Sequence, residues 1–189
     1  MVAVALSIVL LFAGTVSSFI PLGPIWQDPS GIRLFITKDH NDPRVDDWFG
    51  YYESATVSAM NSWNSGTFAW IYFVRRYSNP HTGVRVTVVF NENANWDGLA
   101  TFTAYTSGGT LYFRKVEVRL NAARVHVHHP ISLAGHELGH ALGLDDVSLH
   151  RLMNGCTLYR NTHNIVSPLS GDISGVNTLH SGLIENNNE

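Results

Sequence analysis

The chain has 189 residues, a formal charge of −3 and 44% hydrophobic residues, which suits one domain with a proper core and excludes a disordered chain. Charged residues amount to only 14%, and Lys38 and Lys115 are the sole lysines, so no basic face is available to neutralise phosphates and nucleic acid is not expected as a partner. The single cysteine, Cys156, rules out a disulfide framework and a Cys-based zinc site, whereas ten histidines supply an excess of imidazoles, the commonest metal-ligating side chain.

In chain order, Val2 to Ala13 reads VAVALSIVLLFA and passes into Gly14, Thr15, Val16, Ser17 and Ser18. We expect residues 1–18 to be a secretory signal peptide, removed near Ser18 from a secreted, extracellular protein. No Lys or Arg precedes Arg33, and counted through Ile20 the run also reaches spanning length, so a membrane anchor is the alternative. The polar Thr15, Ser17 and Ser18 shorten its core to signal-peptide length. Residues 19–30 (FIPLGPIWQDPS) hold three prolines and read as a linker or an extended N-terminal arm. Residues 31–189 contain neither a repeat nor a second linker, and a single domain is expected, monomeric and without stable membrane association once the leader is gone.

Ile32, Leu34 and Ile36 alternate, predicting a strand. Asp42 and Pro43 then form a cap and a first-turn proline, and Asp46 and Asp47 stand where carboxylates favour the helix dipole. Apolar residues at Val45, Trp48, Phe49, Tyr52, Ala55, Ala59, Met60 and Trp63 recur at spacings of three and four, predicting a long helix laid on a sheet. Strands are expected over Ala69 to Val74, Val84 to Phe90, Leu99 to Thr106, Thr110 to Phe113 and Val116 to Leu120, with a turn at Gly108 and Gly109. A second helix covers about Ser132 to Leu142. A third starts near Ser170, with Ile173, Val176 and Leu179 inward. The class is α+β.

The second helix contains HELGHALGLDD, residues 136–146. His136 and His140 stand at i and i+4, so their imidazoles project from one face one turn apart and can share a small cation. Glu137 is placed to reach a water on that metal rather than the metal itself. Gly143 can adopt a left-handed conformation, end the helix and turn the chain back, which puts Asp146 within reach as a carboxylate ligand. Three ligands leave a position open, as in catalytic sites. Two rivals for the third ligand stay open: Asp145, by a one-residue slip, and His150, four residues beyond Asp146.

HExxHxxGxxH/D followed by a methionine turn, here Leu152 and Met153, resembles the signature of the metzincin zinc proteases. The resemblance spans the chain after the leader. HELGHALGL is similar to small secreted bacterial matrixin-like proteins, while an aspartate at 146 is similar to snapalysin-type proteases. The resemblance implies a metzincin catalytic domain: a mixed twisted sheet with a long helix, an active-site helix, a Met-turn and a C-terminal helix. It implies one catalytic Zn2+ held by His136, His140 and Asp146, with Glu137 as general base and acid and Met153 as a hydrophobic floor. Gly98, Leu99 and Ala100 resemble the edge strand that pairs with a polypeptide substrate, and residues 154–164 would wall the pocket for the residue after the scissile bond. Where many metzincins carry a tyrosine two residues after the methionine, this chain has Gly155, and Tyr159 is the substitute candidate. A prodomain with a thiol switch is not expected between the leader and Gly31.

The implied reaction is hydrolysis of a peptide bond without a covalent intermediate. The alternative is a non-catalytic, zinc-containing binding or adhesion module, against which the presence of Glu137 speaks. His126, His128 and His129 raise a second, structural Zn2+, but no carboxylate lies nearby in sequence and a solvated strand end is expected; the sequence does not show whether Ca2+ is bound. Cys156 is expected to be buried or unpaired.

Overall fold

The computed structural model describes residues 19–185; the expected signal peptide, residues 1–18, lies outside the described residues. The alternation at Ile32, Leu34 and Ile36 builds β1 (Ser30–Lys38), which buries those three side chains. Asp42 caps a single 3-10 turn, Pro43–Val45, by accepting from the Arg44 N–H, and the chain runs on into α1 (Asp46–Gly66). The long helix follows from the expected stripe: Tyr52, Ala55, Ala59, Met60 and Trp63 are buried, while Trp48 and Phe49 are half-buried at its open end.

β2 (Tyr72–Arg76) starts three residues later than expected, because residues 67–71 close the helix end. Thr67 N–H donates to Trp63 O (3.0 Å) and Ile71 N–H to Phe68 O (2.8 Å), so these residues turn before any ladder begins. β3 (Gly83–Val89) follows the sequence pattern, and β4 (Gly98–Ser107) and β5 (Thr110–Asn121) form a hairpin. Two strands were expected where β5 runs unbroken. Arg114 does not interrupt it: Thr103 pairs with Lys115 and Ala104 with Phe113, so Arg114 is the extra residue of a bulge in β5, and pairing resumes on both sides.

The five strands form one sheet in the order β2-β1-β3-β5-β4, parallel except for β4, which is antiparallel and lies on the edge. The protein is thus a mixed α+β fold with a mostly parallel sheet. α2 (Pro130–Ala141) packs between α1 and the β4–β5 side of the sheet, with Trp63 Nε1 donating to Gly135 O at 2.8 Å. α3 (Thr157–Thr162), a short helix the periodicity did not announce, and α4 (Ser170–Glu185) complete the chain. Among the described side chains of α4, Asp172, Val176 and His180 form the buried face, while Ile173 and Leu179 are half-buried, so two of those three inward side chains are polar.

Residues 19–30 lie along the body as an extended arm. Pro21 bridges to Leu144 and Ile25 to Tyr112, and buried Trp26 donates from Nε1 to Ala141 O at 2.7 Å. The arm ties the end of α2 to β5. No helix of the described residues is long and apolar enough to cross a membrane.

Candidate metal centre

The end of α2 sets the site. Gly143 has φ +97°, its N–H donates to His140 O (3.0 Å), and Leu144 N–H reaches back to Gly139 O (3.1 Å), the paired bonds of a Schellman cap. Only glycine takes that φ without strain. The chain therefore reverses directly after the helix, as the sequence led us to expect, and returns Asp146 to the face that carries His136 and His140.

The ligand-capable atoms of His136, His140 and Asp146 all lie within 4.8 Å of one another, and this group could hold a metal ion. Asp146 Oδ1 is 3.2 Å from His136 Nε2 and 3.6 Å from His140 Nε2. Backbone carbonyls fix the tautomers. His136 Nδ1 donates to Leu152 O at 2.9 Å and His140 Nδ1 to Leu144 O at 2.8 Å; a carbonyl only accepts, so both protons sit on Nδ1. In neutral imidazoles this leaves two Nε2 lone pairs aimed at a carboxylate oxygen. Burial pulls His136 down to about 4, so near pH 7 it brings no proton to the meeting point. Three acceptors converging with no donor between them is an arrangement that a divalent cation satisfies.

The alternatives separate cleanly in space. Asp145 Oδ1 accepts from the Asp146 N–H at 2.8 Å and so supports the loop. His150 faces the Tyr159 hydroxyl (Nδ1 to Oη 3.2 Å) and the His163 ring, outside the cluster.

Glu137 is 5% exposed beside the cluster, and burial pushes its carboxyl up to about 8. It borders a cavity of about 450 Å³ whose lining includes His136, His140, Asp146, Leu133 and the start of β4, Gly98, Leu99 and Ala100. Gly98 touches the Glu137 carboxyl so closely that a Cβ there would overlap it. Tyr159 is placed elsewhere: it is absent from this lining and stacks on His163 (centroids 4.1 Å apart). Gly155 lies against Asp146, and an added Cβ would meet the carboxylate at 3.0 Å.

Met153 is buried against Gly139, on the helix turn between the two histidines, where a Cβ would strike its sulfur. Its turn is gripped by a residue that sequence reading missed. Asp172 accepts from Leu152 N–H (3.1 Å), Met153 N–H (3.3 Å) and Leu169 N–H (2.8 Å), holding the 152–153 backbone that orients His136 while capping α4. Arg160, 2% exposed and lining the cavity, was missed as well; nothing in its local pattern marks a buried guanidinium.

The 122–129 segment corrects an expectation. Ala122–Val127 is 3-10 helix, kinked at Arg124, and not a strand, because the ladder ends at Asn121, whose side chain accepts from Ala123 N–H at 3.2 Å. His128 is buried rather than solvated, with Nε2 2.6 Å from the Tyr52 hydroxyl. Cys156 is exposed and unpaired.

No protein-family model matches the chain, and no curated protein matches it. The class therefore rests on geometry: an α+β protein with a His–His–Asp group able to hold a metal ion, set in a cavity beside the edge strand of its sheet.

Proposed function

We propose that the chain is a zinc-dependent endopeptidase of the metzincin type. The observation that carries this reading is the convergence of His136 Nε2, His140 Nε2 and Asp146 Oδ1 next to a buried carboxyl, Glu137, on one cavity wall. Two imidazoles and one carboxylate, with both Nδ1 protons anchored, form a donor set suited to Zn2+ in a catalytic site. Zinc bound there supplies Lewis acidity, which acidifies water and polarises a carbonyl oxygen.

The chain's own groups do the rest. In its ionised form Glu137 would accept a proton from the attacking water, and burial, which strengthens its hold on that proton, lets it carry the proton to the nitrogen of the leaving amine; the new C–O bond forms first, and the peptide C–N bond breaks as the nitrogen takes the proton. β4 is an edge strand, so its outer backbone N–H and C=O groups are available to an extended polypeptide, and Gly98 to Ala100 bring that edge to the cavity.

Glu137→Gln is expected to keep one zinc per chain and lose about three orders of magnitude or more in cleavage of unfolded casein. Zinc stoichiometry by elemental analysis and chelator-sensitive peptidase rates check it. Near-parental turnover in the variant would remove Glu137 from its role. A zinc-loaded parent that cleaves no polypeptide would leave the non-catalytic module as the reading.

A further inference from the structure

Arg160 carries a buried positive charge that the fold does not neutralise. Nη1 donates to Asn154 O and Nη2 to Thr157 Oγ1 (3.3 Å), both uncharged, while Nε has no partner. Of the acids that act on it through space, Asp97 pairs with Arg124 (2.5 Å) and Asp146 with the histidine pair, and Glu137, the strongest of the three, makes no ion pair with it. Arg160 takes part in no ion pair among the described residues. A guanidinium withdrawn from water with an unmet N–H and no counter-ion is costly unless an anion reaches it.

The cavity is the route by which one can. Arg160 lines the 450 Å³ cavity of the metal cluster and also a second one of about 250 Å³ on its far side, so it stands as the partition between them. Leu133, Gly155 and Thr157 lie on the metal side, and His128 and Asn161 on the other. His128 Nδ1 is a second buried polar atom without a partner there. Arg160 gives the metal-side cavity a charged end, which distinguishes it from a slot for an apolar side chain. A carboxylate at the Arg160 end of the cavity would balance the guanidinium charge, whereas an apolar occupant would not. Asp97, Asp145 and Asp146 line the remainder of the metal-side cavity and repel an anion from it, which confines the fit to the Arg160 end.

We propose that Arg160 makes this pocket selective for an acidic side chain of the substrate, the aspartate or glutamate that follows the bond to be cut. The proposal rests on the peptidase reading above for the position of that residue. The test uses two peptides identical except for Glu or Gln after the candidate scissile bond. Their cleavage by the zinc-loaded parent is followed by mass spectrometry, and their equilibrium binding is measured on zinc-loaded Glu137→Gln. The Glu peptide should be favoured by about tenfold or more in both measurements. Arg160→Met, in the parent and in the Glu137→Gln background, should bring the ratio to about one, and Arg160→Lys should keep part of it. If Arg160→Met does not fold, Arg160→Lys and the parent ratio decide. Equal binding of the Glu and Gln peptides overturns the inference. Absence of cleavage of either peptide, or of casein, overturns the peptidase reading instead, and the binding ratio still decides the role of Arg160.

Discussion

Two protons, on His136 Nδ1 and His140 Nδ1, determine what the cluster can do. Each is held by a backbone carbonyl, Leu152 O or Leu144 O, so the Nε2 atoms are presented as acceptors before any ion arrives. Asp146 completes the set where Asp145 and His150 do not. Asp146→Ala is expected to weaken zinc binding by about two orders of magnitude or more, while Asp145→Ala and His150→Ala stay within about tenfold of the parent. Equilibrium zinc titration ranks them, and the reverse order would remove Asp146 from the ligand set. Gly98 poses a different question, because its Cα packs on the Glu137 carboxyl. Gly98→Ala must displace that group, and a misplacement near 1 Å is expected to lower kcat by about a hundredfold while zinc affinity is retained. Steady-state kinetics beside a zinc titration separate the two effects.

At the level of elements, the site is suspended between the end of α2 and the start of α4. The Schellman turn at Gly143 aims Asp146, and the 152–153 turn holds His136 through Leu152 O. Asp172 links that turn to α4 by accepting from Leu152 N–H and Met153 N–H in buried bonds and from Leu169 N–H in a part-buried one. Asp172→Ala leaves three amide donors unmet and is expected to cost about 3 kcal/mol of stability, at roughly 1 kcal/mol or more per group. Urea unfolding of the variant checks the figure, and its zinc affinity should fall too, since the carbonyl that orients His136 loses its support. Asp172→Asn, which keeps an acceptor oxygen, should recover part of both. A variant as stable as the parent would mean that water or a rearranged turn satisfies those amides.

Over the whole molecule, the buried histidines tie stability to pH. His180, fully buried with Nε2 3.3 Å from Leu142 O, and His128, against Tyr52, are each held down to about 4 by burial, against an ordinary value of 6.5. Both are neutral in the folded protein but take up protons below 6.5 when unfolded. The unfolded state therefore binds more protons between about 4 and 6.5, and the stability these groups contribute is full above 6.5 and is lost as pH falls through that window. Unfolding midpoints measured with chelator present, which removes metal release from the comparison, should drop over this range, and His180→Leu should show a shallower drop. A flat profile would mean that these imidazoles are charged, or reach water, in the fold.

The local chemistry was legible where its cause is local. The i, i+4 pair His136 and His140, the left-handed Gly143 and the return to Asp146 span eleven residues, and helix geometry together with one permissive φ fixes their relation. The alternation of β1 and β3 and the stripe of α1 were equally readable, since periodicity records which face is buried. Periodicity does not record what lies opposite. That β5 runs on past Arg114 depended on β4, which pairs with it on both sides of a bulge there, and that His128 is buried depended on Tyr52, 76 residues away. Gly98 against Glu137, Asp172 beneath the 152–153 turn and Arg160 behind the cavity are meetings of distant segments, and only close packing of the folded chain brings them together. The sequence by itself thus determined the ligand-bearing helix and its turn, because their geometry is set within a few bonds. The tertiary structure decided which residues orient, support and confine that site, because those roles arise from packing between elements far apart in the chain.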